Sequence, residues 1–199
     1  MRSRSPMLPI VVVAVSLAGC TSVGAGTPTP AGTTATTSVA ASGLPARPRE
    51  VSLKGLTGQD MCNLITVDQR RQLNVDVGNV RPRENGSRSK EPSCALNRID
   101  AAPYIEVDPF VVTSEDITNL VGRRGNTEGR PVVIGGFPAV ESNLVGVRDE
   151  CYAHIGVAAG QVLGVQATEP SEAMSMPEIC ALARRAAGMA LENLLKLRP

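Results

Sequence analysis

Tryptophan is absent from this chain, and phenylalanine and tyrosine occur only twice each. With so few rings, a core has to be filled by aliphatic side chains, without the large buried area that aromatic residues usually bring. Neither sign of charge is in excess: 20 Lys and Arg stand against 19 Asp and Glu, a formal net charge of +1. A polyanionic partner such as nucleic acid is therefore not expected. The chain has one histidine, His154. It has no G-x-S-x-G elbow, no phosphate-cradling glycine loop and no metal-ligand spacing, so no catalytic residue, metal or cofactor is assigned. No apolar run approaches the roughly 20 residues that a membrane-crossing helix needs.

What is present begins with an address. Arg2 and Arg4 precede an apolar run over residues 7–18, interrupted by Pro9 and Ser16, and small residues lead to Cys20. A charged start, a short apolar stretch and small residues are the layout of a removable secretory signal. Leu17-Ala18-Gly19-Cys20 resembles the lipobox of bacterial lipoproteins. That resemblance implies a signal peptide over residues 1–19 and a lipidated, palmitate-bearing Cys20 as the first residue of the mature chain. The protein is then expected on the extracytoplasmic face of the cell membrane. One acyl chain holds a membrane only marginally, whereas two or three hold it stably.

Residues 20–50 are dominated by Thr, Ser, Ala, Gly and Pro. Too little apolar surface is available there to offset the entropy of ordering, so the stretch reads as a disordered linker. Such a coil spans on the order of 30 Å. The threonines beside Pro28 and Pro30 read as a plain spacer, with O-glycosylation as the alternative. Residues 51–199 have the length of one domain with one core.

Setting Cys20 aside leaves Cys62, Cys94, Cys151 and Cys180, an even number in an oxidising compartment, and hence two disulfides. No two of them have zinc-ligand spacing. Four cysteines allow three connectivities. The expectation adopted here is Cys62 with Cys180, stapling two terminal helices, and Cys94 with Cys151, linking two strands. Closing such loops stabilises by about 4 kcal/mol in the chain-entropy model.

Along the domain, Thr66 and Gln69 have capping-box spacing and predict a helix running toward Leu73. Residues 78–92 are polar, contain Asn85-Gly86 and read as a long exposed loop. Strands are predicted over 94–99 and 104–112, with Pro109 requiring an edge or a bulge in the second. Residues 113–124 predict a short helix through Ile117, Leu120 and Val121, with Arg123 and Arg124 in its last turn and Gly125 as its stop. Two strand pieces flank Gly135-Gly136. In the next strand Cys151, Ala153, Ile155 and Val157 share one face, and Tyr152 and His154 point to the other. Ala158 to Gln161 predicts a hairpin into residues 162–168. Ser175, Pro177 and Glu178 mark a helix start, and the apolar stripe Ile179, Leu182, Ala183, Ala186, Ala190, Leu194 needs a sheet to lie on. The fold class expected is α+β, an antiparallel sheet with N- and C-terminal helices packed on one face and two disulfides.

At these residues the chain resembles the actinobacterial lipoproteins that carry domain of unknown function 3558. The likeness lies in Cys62-Asn63-Leu64-Ile65-Thr66, Cys94, Gly136-Phe137-Pro138-Ala139-Val140, the run from Cys151 through Gly160-Gln161-Val162-Leu163, and Cys180 opening the last helix. Met61 and Leu96 stand where the family usually has Pro and Trp. The resemblance implies an envelope lipoprotein and supplies no catalytic residue.

Three functions are weighed. The first is a non-catalytic module that binds an envelope protein, a wall polymer or a lipid. The second narrows it to a carrier holding an apolar ligand between the sheet and the last helix, beside Ala183, Ala186, Ala187 and Gly188, in a cavity of roughly 300 Å³ or more. The third is an envelope hydrolase with His154 as base, which requires nearby Ser and carboxylate partners. Arg81, Arg83, Arg88 and Lys90 read as a solvated loop, with anionic polymers or headgroups as the alternative partner.

Overall fold

The computed structural model describes residues 43–75, 80–83, 91–98 and 100–199. The expected signal peptide, Cys20 and the expected linker through residue 42 lie outside them. The strands are β1 (Val80–Arg83), β2 (Ser93–Arg98), β3 (Ile105–Val112), β4 (Gly122–Arg124), β5 (Thr127–Ile134), β6 (Phe137–Leu144), β7 (Glu150–Ala158) and β8 (Gln161–Thr168). They form one antiparallel sheet of eight strands in the order β1-β2-β3-β8-β7-β6-β5-β4. Among the described residues three α-helices accompany it: α1 (Gly58–Asn63), α2 (Val67–Gln72) and α3 (Met176–Leu197).

Turn chemistry sets much of this register. Gly135 and Gly136 have φ of 56° and 82° and join β5 to β6 through Ile134 opposite Phe137, the two-residue hairpin whose positive φ angles glycine accepts without steric cost. Alternation then sorts the faces. Cys151, Ala153, Ile155 and Val157 of β7 join Leu163, Val165 and Ala167 of β8 under α3. α3 contributes Ile179, Ala183, Ala186, Ala187, Ala190 and Leu194, all with no exposed surface. Small side chains let the helix axis approach the sheet closely, so these alanines are the seam itself.

Each helix start is held by a reciprocal box. Thr66 N–H donates to Gln69 Oε1 (2.9 Å) and Gln69 N–H to Thr66 Oγ1 (3.3 Å). Ser175 N–H and hydroxyl both donate to the Glu178 carboxylate, each at 2.7 Å. At α1, Thr57 and Asp60 do the same, a signal passed over in the sequence. The end of α1 is closed by the buried Arg70 of α2, which donates to the carbonyls of Cys62 (2.6 Å) and Ile65 (2.9 Å). Asn193 of α3 donates to Leu64 O (3.0 Å) and Gln69 Oε1 (2.7 Å), tying the short helices to the long one.

Several expectations are corrected. The disulfides are Cys62–Cys94 and Cys151–Cys180, each with Cα atoms 5.0 Å apart, instead of Cys62–Cys180 and Cys94–Cys151. The sheet order explains this: α1 packs on β1 and β2, whereas α3 packs on β7 and β8. Residues 113–124 make one 3-10 turn, Ile117–Leu120, and then strand β4, so Arg123 and Arg124 are exposed strand residues without a helix terminus. Gly125 is the turn residue of the β4–β5 hairpin, with φ of 59°. The loop expected over 78–92 contains β1, paired to β2.

Of the edge or bulge expected at Pro109, the edge is excluded, because β3 is an interior strand, and the ladder to β2 is interrupted at that residue. Neither it nor Asp108 pairs with β2. The N–H of Cys94 donates instead to Asp108 Oδ1 at 3.1 Å. Packing also begins earlier than residue 51: Leu44, 2% exposed, joins Ile117, Val140 and Val162 on the face of the sheet opposite α3.

Candidate functional site

The helices leave one face of the sheet to other covering, and glycines decide how that face is filled. A Cβ on Gly156 of β7 would stand 2.6 Å from Ile117 Cγ2, and one on Gly129 of β5 would meet the carbonyl of Leu120. The 3-10 turn thus settles directly onto bare backbone at both of its ends. A Cβ on Gly164 of β8 would run into the Phe110 ring. Phe110 therefore lies flat across β8, where a larger residue would have lifted it.

Between the turn and the strands opens a cleft of about 560 Å³. Its floor is Phe110, Ser142, Tyr152 and His154. Its walls are Val112, Leu120 and Leu144, with Glu115, Arg124 and Thr127 at the rim. Cross-strand pairing builds the floor: Ser142 of β6 stands opposite Tyr152 of β7 and Val140 opposite His154. Ser142 Oγ and His154 Nε2 are 3.1 Å apart. The imidazole stacks on Tyr152 with centroids 5.7 Å apart and meets Phe110 edge-on at 5.9 Å.

His154 keeps some exposure as a residue, but its Nδ1 is enclosed and has no hydrogen-bond partner among the described residues. Burial pushes the His154 pKa down to about 4, because a charged ring there would lose its hydration without gaining a counter-charge. At the rim, Arg124 Nη1 and Glu115 Oε1 are 3.8 Å apart, a loose ion pair of opposite charges.

The remaining charged clusters lie elsewhere. Glu141 points to the helix side, where Arg184 of α3 and Arg130 of β5 both pair with its buried carboxylate. It lies beside the Cys151–Cys180 bridge, so it is not the partner of His154. Arg83 is engaged by Asp108 at 2.8 Å and Glu106 at 3.8 Å, while Arg81 is exposed. Burial raises the Asp108 pKa, against the pull of Arg83 and the donors of Ser93 and Cys94. Arg88 and Lys90 lie outside the described residues. The cleft is on the opposite face from Ala183, Ala186 and Ala187, where the carrier hypothesis looked for space. Sequence reading had His154 on the correct face but missed Ser142, Phe110 and the three glycines. Glycine inside a strand, as at Gly156 and Gly164, is the signal that pointed there.

These features define a disulfide-bridged α+β domain with a long C-terminal helix on one face of its sheet and a cleft on the other. The chain matches, over residues 15–193, the family model described as "Protein of unknown function (DUF3558)". The chain belongs to that family. No curated protein and no solved structure matches it.

Proposed function

We propose that the protein is a non-catalytic binding module of the actinobacterial cell envelope, held to the membrane by a lipidated Cys20, with the open-face cleft as its ligand site. The observation that carries this reading is the state of the Ser142–His154 pair. A serine nucleophile needs a base whose pKa lies near the working pH, oriented through its second nitrogen. His154 lies at about 4 and its Nδ1 has no partner among the described residues. Ser142 is itself only 3% exposed. What remains is a concave, mostly apolar surface with a few polar groups in its floor, the form of a binding site.

The Cys20 tether rests on the lipobox alone, and the low-charge composition agrees with a partner other than nucleic acid. Treating the full chain with excess fluorophosphonate and mapping the digest separates the binding module from the hydrolase. The expected result is an unmodified Ser142. A phosphonyl adduct on Ser142 that vanishes in His154→Asn would make the pair a working nucleophile and overturn the proposal.

A further inference from the structure

We infer that the cleft takes a neutral amphiphile with a single aliphatic chain, such as a fatty alcohol or a monoglyceride. This rests on the binding-module reading and names its ligand class.

The first ground is what a ligand would touch. Phe110, Tyr152 and Ser142 are 7%, 6% and 3% exposed, so the floor they form offers a ligand little ring face and little hydroxyl. Val112, Leu120 and Leu144 are the half-buried apolar residues of the lining. Sugars are gripped by exposed ring faces, and the Phe110 and Tyr152 rings present almost none. An aliphatic trough instead matches an aliphatic chain, whose transfer from water contributes about 0.8 kcal/mol per buried methylene.

The second ground is charge. Glu115 and Arg124 are the two charged residues of the lining, and they stand 3.8 Å apart with opposite signs. Their fields largely cancel, so neither a lone carboxylate nor a lone ammonium gains a counter-ion without breaking the pair. A hydroxyl can donate to Glu115 and accept from Arg124, an ester carbonyl can accept from Arg124, and Thr127 adds an uncharged hydroxyl at the same rim. The third ground is size: about 560 Å³ lies within the range of small-ligand pockets and well below what a folded partner would fill.

The test uses the full chain carrying Cys20→Ser, so that no micelle competes, titrated with a fluorescent dodecanol. The expected result is saturable one-to-one binding, displaced by unlabelled dodecanol and weaker by tenfold or more for dodecanoate at neutral pH. Leu144→Glu, or Val112→Glu should the first fail to fold, is expected to weaken binding at least tenfold. Val133→Glu, on an exposed β5 residue away from the cleft, leaves it unchanged. Absence of saturable binding, or binding that Leu144→Glu and Val112→Glu leave intact, overturns the inference. If a muropeptide binds at the cleft in place of the alcohol, the lipid assignment falls and the binding module stands. If neither binds and fluorophosphonate labels Ser142, both fall.

Discussion

His154 shares one nitrogen with Ser142 and has no partner for the other among the described residues, so a proton added to the ring would sit uncompensated between Phe110 and Tyr152. Its pKa in the fold is about 4, against about 6.5 in an unfolded chain. In that interval the unfolded chain binds the proton more tightly, so stability is complete above about 6.5 and declines as pH falls toward 4. Between pH 7.5 and pH 5 the expected loss is about 2 kcal/mol at most. Urea unfolding of wild type and His154→Asn at the two pH values reads it as a difference, which cancels the contribution of the carboxylates. An equal loss in both proteins would mean that the ring is solvated in the fold. The orientation of this residue was legible in the alternation of β7. Its enclosure was not, because that depends on Phe110 lying across Gly164, a contact between strands far apart in sequence.

At the scale of elements, local signals read well and long-range ones did not. The boxes at Thr66–Gln69 and Ser175–Glu178 involve neighbours in sequence and appear in the fold as expected. Residues 113–124 misled, because Ile117, Leu120 and Val121 have helical spacing but only one turn forms before the chain joins β5 as β4. The disulfides depended on which helix lies over which strands, and that is a property of the sheet order. Cys62–Cys94 closes 32 residues and Cys151–Cys180 closes 29. A loop of that length contributes about 3.5 kcal/mol in the chain-entropy model. A non-reducing digest is expected to join the peptides holding Cys151 and Cys180, and replacing both with Ala is expected to lower stability by about 3 kcal/mol. A cross-linked Cys62–Cys180 peptide would contradict the pairing and the helix placement together.

Over the described part of the molecule, one segment links the two faces of the sheet. Leu44 packs with Ile117, Val140 and Val162 on the cleft side, while Val51, Leu53 and Leu56 pack with α1 and α3 on the other. Between them Glu50 accepts from the N–H of Ala159 at 2.8 Å, and Asp116 accepts from the N–H of Gly160 at 3.3 Å. These donors hold both carboxyls below their usual range: the N–H of Ala159 and then Arg47 at Glu50, and at Asp116, against burial, the donors of Thr118 and Gly160. The segment that the described residues begin with is thus fastened beside the 3-10 turn that walls the cleft. The central claim, a lipid-anchored chain that holds a neutral lipid in that cleft, is tested most directly by mass spectrometry of the protein extracted from its own envelope, before and after organic solvent. The expected result is a chain beginning at a diacylated Cys20, whose covalent lipid survives extraction, together with a second, neutral lipid mass that is removed by solvent and is missing from Leu144→Glu. A chain without lipid at Cys20, or a wild-type mass that solvent leaves unchanged, would contradict it.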